Sequence, residues 1–231
     1  MTRAGGGRLR VGVLASGRGS NLQALLDACA RPDYPARIVV VVSDRERAQA
    51  LDRARAAGVE AVWVNPKDYA DREAFDRALV ETFEARGVEL ACHAGFMRIL
   101  SPVYMRAFAG RALNIHPSLL PAFPGLHAPR QAIEHGAKVS GATVHFADEG
   151  VDTGPIVLQA AVPVLPDDTE ETLAARILVE EHRLFPEAVR LFADGRLTIT
   201  GRRVAVRAAA PLEEPQPQAR RRYEKTGEAS L

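Results

Sequence analysis

An amide and an imidazole stand two residues apart at Asn114 and His116, and a carboxylate, Asp152, follows 36 residues after the histidine between Gly150 and Gly154. At i and i+2 of an extended segment the first two side chains share a face. Pro117, directly after His116, stops regular pairing, so the imidazole is expected at a strand end rather than inside a sheet. An amide to hold a carbonyl oxygen, a histidine to move a proton and an acid to tune that histidine make an acyl-transfer set. Spacing alone leaves a plainer reading open, because Asp152-Thr153-Gly154 is also ordinary turn composition.

Two further stretches could hold ligands. Ser16-Gly17-Arg18-Gly19-Ser20-Asn21 falls between a strand pattern and a helix pattern, where glycines permit tight curvature and free N–H groups favour an anion. The third glycine of GxGxxG is replaced by Leu22 and GxxxxGK[ST] does not occur, so a single phosphate ester fits better than a dinucleotide or a P-loop. Gly95-Phe96-Met97-Arg98-Ile99-Leu100 follows the fourth strand pattern, at the edge where open α/β sheets bind ligands, and could clamp a flat ring or simply pack. The six histidines show neither HxH nor HExxH spacing, and Cys29 and Cys92 lack CxxC spacing, so no metal site is expected. His127 could border the site from the Pro124-Gly125-Leu126-His127 turn, and His145 alternates with Val144 and Phe146 along a strand.

The elements that must position these groups alternate. Strands are expected at 9–15, 38–42, 61–64, 88–94, 112–115, 139–146 and 156–164, with helices at 21–29, 45–57, 71–86, about 131–134 and 169–192. Pro186 is expected to interrupt or kink the last helix. The βαβαβαβ order predicts a Rossmann-like, doubly wound α/β fold, with a parallel sheet to about residue 115 and a mixed or antiparallel part after it. One catalytic domain is expected over 1–207. From about 208, prolines among charges and the Arg220-Arg221-Arg222 triplet read as a disordered tail.

Bulk composition excludes other classes. The net charge of +1 and pI of about 7.9 point to neither nucleic acid nor membrane. No apolar h-region opens the chain and no apolar run of about 18 residues occurs. The expected location is the cytoplasm, and a homodimer is left open.

The ordered blocks Ser16 to Gln23, Ala94 to Pro102, Asn114 to Pro121, Pro124 to His127 and Asp152 to Pro155 resemble the folate-dependent phosphoribosylglycinamide formyltransferases of purine synthesis. The likeness spans about residues 9–200. It implies transfer of a formyl group from 10-formyltetrahydrofolate, as co-substrate, to the amino group of glycinamide ribonucleotide, with no metal. Asn114, His116 and Asp152 would be catalytic, Asp152 raising the histidine pKa to favour its protonated form. Gly19, Ser20, Asn21 and Glu181 would hold the ribonucleotide. The folate would lie against Met97, Arg98, Ile99, Leu100, Asn114 and the loop Asp148, Glu149, Gly150, Val151, with Arg72 toward its acidic tail.

Two relatives in chemistry and one reading from a different class compete. A formyltetrahydrofolate hydrolase shares the Asn-x-His and Asp pair but carries an extra N-terminal domain, which a first strand at Leu9 is expected to leave no room for. A methionyl-tRNA formyltransferase would need a C-terminal RNA-binding domain. A non-catalytic folate or nucleotide module would be expected to have lost one of the three catalytic residues. Cys92-His93 departs from the apolar strand residues expected before Ala94.

Overall fold

The computed structural model describes residues 7–208. The tail expected after 207 lies outside them, Ala208 apart. In chain order the strands are β1 (Leu9–Leu14), β2 (Ala36–Ser43), β3 (Glu60–Trp63), β4 (Leu90–His93), β5 (Ala112–His116), β6 (Val139–Phe146), β7 (Ile156–Pro163), β8 (Leu197–Thr200) and β9 (Arg203–Val206). The helices are α1 (Ser20–Ala30), α2 (Gln49–Ala56), α3 (Arg72–Glu84), α4 (Pro102–Ala107), α5 (Ala128–Glu134) and α6 (Glu170–Ala193). All nine strands form one sheet in the order β3-β2-β1-β4-β5-β6-β7-β9-β8.

β1 to β5 pair in parallel, then β6 runs antiparallel to β5 and β7 antiparallel to β6. The direction of the strand order reverses at β1 and β4, which opens a crevice at the carboxyl ends of the parallel strands. Alternation of side chains feeds two cores. Val13, Val41 and Cys92 face α1, α2 and α6, whereas Leu14, Val42 and Ala91 face α3 and α4. On β5, Leu113 and Ile115 enter the first core. Asn114 and His116 therefore project to the opposite face.

Several boundaries differ from expectation for local reasons. α2 begins at Gln49 rather than near Arg45, because Ser43 Oγ accepts from the Arg45 N–H at 3.1 Å and Ala48 N–H closes a turn on Arg45 O at 3.2 Å. α4 was not foreseen, although Pro102 at the first helical position after Ser101 is a helix-start signal. α6 runs unbroken through Pro186, so the interruption does not occur. Its start has the capping box of Thr169 and Thr172. The β8–β9 hairpin was also missed, though Leu197 to Val206 carries β-branched alternation around Gly201.

Phe83 on α3 is fully buried, edge-on to Phe108 at 5.7 Å, and lies where a side chain on Gly12 of β1 would have to go. Replacing it leaves a void under the central strand. Phe83→Ala is expected to cost about 3–5 kcal/mol of unfolding free energy, read as a lower midpoint in urea denaturation.

Candidate active site

β5 ends at His116, as the following proline requires, and places Asn114 one pleat earlier on the same face. The carboxylate arrives on the turn between β6 and β7. Asp152 has φ of 55°, a left-handed conformation that costs a non-glycine residue energy and is held only by surrounding contacts. Gly154 makes the turn possible, since a Cβ there would lie 1.8 Å from Phe146 O. Phe123 and His127, the other non-glycine residues with positive φ among the described residues, sit in the turn that covers His116.

The expected trio converges. His116 Nδ1 lies 3.3 Å from Asp152 Oδ2, and Asn114 Nδ2 donates to Asp152 Oδ1 at 3.3 Å. The Gly125 N–H donates to Asp152 Oδ2 at 2.8 Å, and His116 Nε2 lies 2.8 Å from Phe123 O. A carbonyl only accepts, so His116 carries its proton on Nε2. With that proton on Nε2, the 3.3 Å approach of Nδ1 to Asp152 Oδ2 becomes a hydrogen bond only when the ring is protonated at both nitrogens. His116 is almost wholly buried. Burial holds its pKa below the ordinary histidine value, and the Asp152 charge and Phe123 carbonyl only limit the fall. This corrects the expectation of a histidine raised by Asp152: the carboxylate pulls in that direction, but desolvation is larger. Burial also works to raise the Asp152 pKa, yet hydrogen-bonded neighbours, the Gly125 N–H among them, keep it below the usual carboxylate value.

His145 is the member that sequence reasoning placed only on a strand. The antiparallel register sets it directly opposite Asn114, and its Nε2 accepts from Asn114 Nδ2 at 3.0 Å while its Nδ1 donates to Phe146 O at 2.9 Å. That tautomer leaves Nε2 without a proton, so the 3.6 Å approach of Nε2 to Asp152 Oδ1 is a contact rather than a bond. Both N–H groups of Asn114 are thus engaged, and the amide must exchange one of them to reach an oxyanion. The signal for His145 was its alternation along β6, usable only once the strand pairing is known. His127 instead turns outward, to Glu170 Oε1 at 2.9 Å.

The glycine loop forms between β1 and α1, as expected. Gly19 caps α1 in the left-handed region, with φ of 70°, and a Cβ there would meet Ala50 Cα at 2.8 Å. The first α1 bond runs from Gln23 N–H to Gly19 O, so the N–H groups of Ser20, Asn21 and Leu22 precede the helical ladder. Asn21 Nδ2 donates to Glu181 Oε2 at 2.8 Å, joining residues 160 apart in the chain. Burial raises the Glu181 pKa, which the Asn21 bond opposes. A cavity of about 320 Å³ lies beside this loop, lined by Ser16 to Arg18, Arg45 and Arg47.

Of the expected folate residues, Met97 and Ile99 are more than half exposed. Leu100 instead packs in the core against the α3–α4 layer, so its side chain is not part of a pocket wall. Arg98 lies over the Phe75 ring at 5.1 Å, and Arg72 is exposed at the start of the same helix, α3. Asp148 Oδ1 shapes the second loop by accepting from Gly150 N–H at 3.1 Å and Thr153 Oγ1 at 2.7 Å, leaving Glu149, Gly150 and Val151 exposed. No group of three His, Cys, Asp or Glu side chains among the described residues could hold a metal ion. No described helix is long and apolar enough to cross a membrane.

The profile of the formyl transferase family matches residues 9–189. The chain belongs to this family. Phosphoribosylglycinamide formyltransferase of Escherichia coli K12 is 44% identical over 189 residues, covering 82% of this chain and 89% of that protein. The trifunctional purine biosynthetic protein adenosine-3 of Drosophila melanogaster is 50% identical over 195 residues, 84% of this chain, which spans only 14% of that protein's length. Among solved structures, glycinamide ribonucleotide transformylase 1 of Symbiobacterium toebii superposes with a TM-score of 0.85 at 60% identity, over 86% of this chain and 94% of that one. The likeness to this solved structure supports the single mixed sheet described above.

Cys92-His93, the departure noted in the sequence, is absorbed by burial. His93 Nε2 lies 3.1 Å from Tyr104 Oη, and desolvation, helped by His145, pushes its pKa down to about 3. The unfolded chain takes up this proton near pH 6.5, whereas the folded chain does so only near 3, so stability falls as pH is lowered through that window. His93→Gln is expected to flatten the pH dependence of the urea midpoint between pH 7 and 5, removing up to about 1.4 kcal/mol per pH unit.

Proposed function

We propose that the protein transfers the formyl group of 10-formyltetrahydrofolate to the amino group of glycinamide ribonucleotide. The observation that carries the reading is the convergence of Asn114, His116 and Asp152 at the carboxyl edge of the sheet. The anion loop at Gly19 to Asn21 with Glu181 would take the ribonucleotide on one side. Met97, Arg98, Ile99, the backbone at Leu100 and the Asp148–Val151 loop would take the folate on the other, with Arg72 toward its acidic tail.

The amine nitrogen attacks the formyl carbon, the C–N bond forms and the carbonyl oxygen becomes an oxyanion. Asn114 turns an N–H from Asp152 to that oxygen, an uncharged donor aimed at charge as it develops. Neutral His116 receives the proton released by the attacking nitrogen. The new imidazolium is held by Asp152 and hands the proton to the folate nitrogen as the second C–N bond breaks. Burial suits this order, because a ring that is neutral at rest can accept before it donates. To receive that proton at Nε2, the ring must leave Phe123 O and carry its resting proton on Nδ1, toward Asp152.

Folate turnover is expected to require the ribonucleotide, and His116→Ala is expected to lower kcat by roughly 10²–10⁴-fold. Turnover that proceeds equally without ribonucleotide would indicate a hydrolase instead. Asp152→Asn removes the charge that supports His116, so its kcat falls and the acid limb of the pH–rate profile moves to lower pH. An unchanged profile with full activity would remove Asp152 from the mechanism.

A further inference from the structure

Ser16 lies just past the end of β1, is 1% exposed, and lines the cavity beside the glycine loop without having been given a substrate contact above. The β1–β4 seam runs out of ladder at this point, with Ala94 N–H bonded to Leu14 O at 2.8 Å. Ser16 continues the seam beyond the sheet. Its N–H donates to Gly95 O at 3.0 Å, and its Oγ accepts from the Met97 N–H at 2.9 Å. Gly95 has φ of 79°, so the chain turns there and the Ser16 hydroxyl catches it two residues on. The far end of the Met97–Leu100 segment is held separately, by Asp76 accepting from the Ser101 N–H. On its other side the glycine loop is pinned by Ala50 N–H to Gly17 O at 3.1 Å.

We propose that Ser16 is a positioning residue that couples the two substrate pockets, so that the ribonucleotide and the folate each tighten the binding of the other. The proposal rests on the assignment of Gly19–Asn21 to the ribonucleotide and Met97–Ile99 to the folate. A ligand that orders the glycine loop also fixes the Ser16 hydroxyl, and with it the Met97 amide. The second ligand then meets a segment already ordered, which is a source of positive cooperativity. Linkage makes the enhancement equal in both directions.

The test is calorimetric titration with tetrahydrofolate, which carries no formyl group to transfer, with and without glycinamide ribonucleotide. In the unmutated protein the ribonucleotide is expected to tighten folate binding roughly 3- to 10-fold, the scale of one buried hydrogen bond. Ser16→Ala is expected to bring that enhancement close to one-fold while the affinity for ribonucleotide alone changes little. A second readout needs no variant: amide hydrogen exchange at Met97 in the unmutated protein is expected to slow when ribonucleotide alone is added. Full enhancement retained in Ser16→Ala, or Met97 exchange indifferent to ribonucleotide, overturns the coupling. Failure of the unmutated protein to bind either ligand would overturn the transferase reading itself, and the coupling with it.

Discussion

A single carboxylate holds the candidate site together. Asp152 Oδ1 takes Asn114 and faces His145, while Oδ2 takes the Gly125 N–H and faces His116. Those partners come from β5, β6 and the turn before α5, and the carboxylate adds to the β5–β6 ladder one group that reaches all three. The group can do this only because its turn accepts a left-handed backbone at Asp152 and a side-chain-free approach at Gly154. Strain in the backbone is balanced against four polar contacts, a balance typical of residues that are placed for chemistry rather than for packing.

The reversal of strand direction after β5 matters as much as the carboxylate. A parallel neighbour would have required a crossover and would have covered this face with a helix. An antiparallel β6 brings His145 level with Asn114 instead, with the bond between them fixing the tautomer of one and the orientation of the other. The resulting surroundings are poor in charge. His93 and His116 are both held below the ordinary histidine value chiefly by burial, and the fold favours a neutral imidazole that becomes charged only in the course of a reaction.

Much of this was legible in the residues. The β-branched run at Ile38 to Val42 marked a central strand, and the i, i+2 spacing put Asn114 and His116 on one face. The glycine loop identified the start of α1, and the turn composition around Asp152 allowed its left-handed geometry. What stayed hidden depends on tertiary placement. The register that pairs Asn114 with His145 cannot be read from either strand alone. The sign of the His116 shift depends on how completely the ring is buried, which spacing does not encode. Leu100 belongs to the core because α3 and α4 close over it, and α4 itself was hidden by brevity. The late start of α2 reflects a serine side chain competing with the helix for its first N–H.

The hairpin β8–β9 lies beyond residue 189, where the match to the family profile stops, yet it extends the same sheet. At its turn Arg202 donates to Thr153 O at 3.0 Å, the carbonyl adjoining Asp152. Ile199 comes within 4.0 Å of the position a Cβ would take on Gly110, beside the end of α4. The hairpin therefore adds beside the acid an exposed contact that the segment matched by the family profile does not contain. A boundary drawn at the end of α6, for excision or for fusion to another protein, would cut between the site and one of its braces.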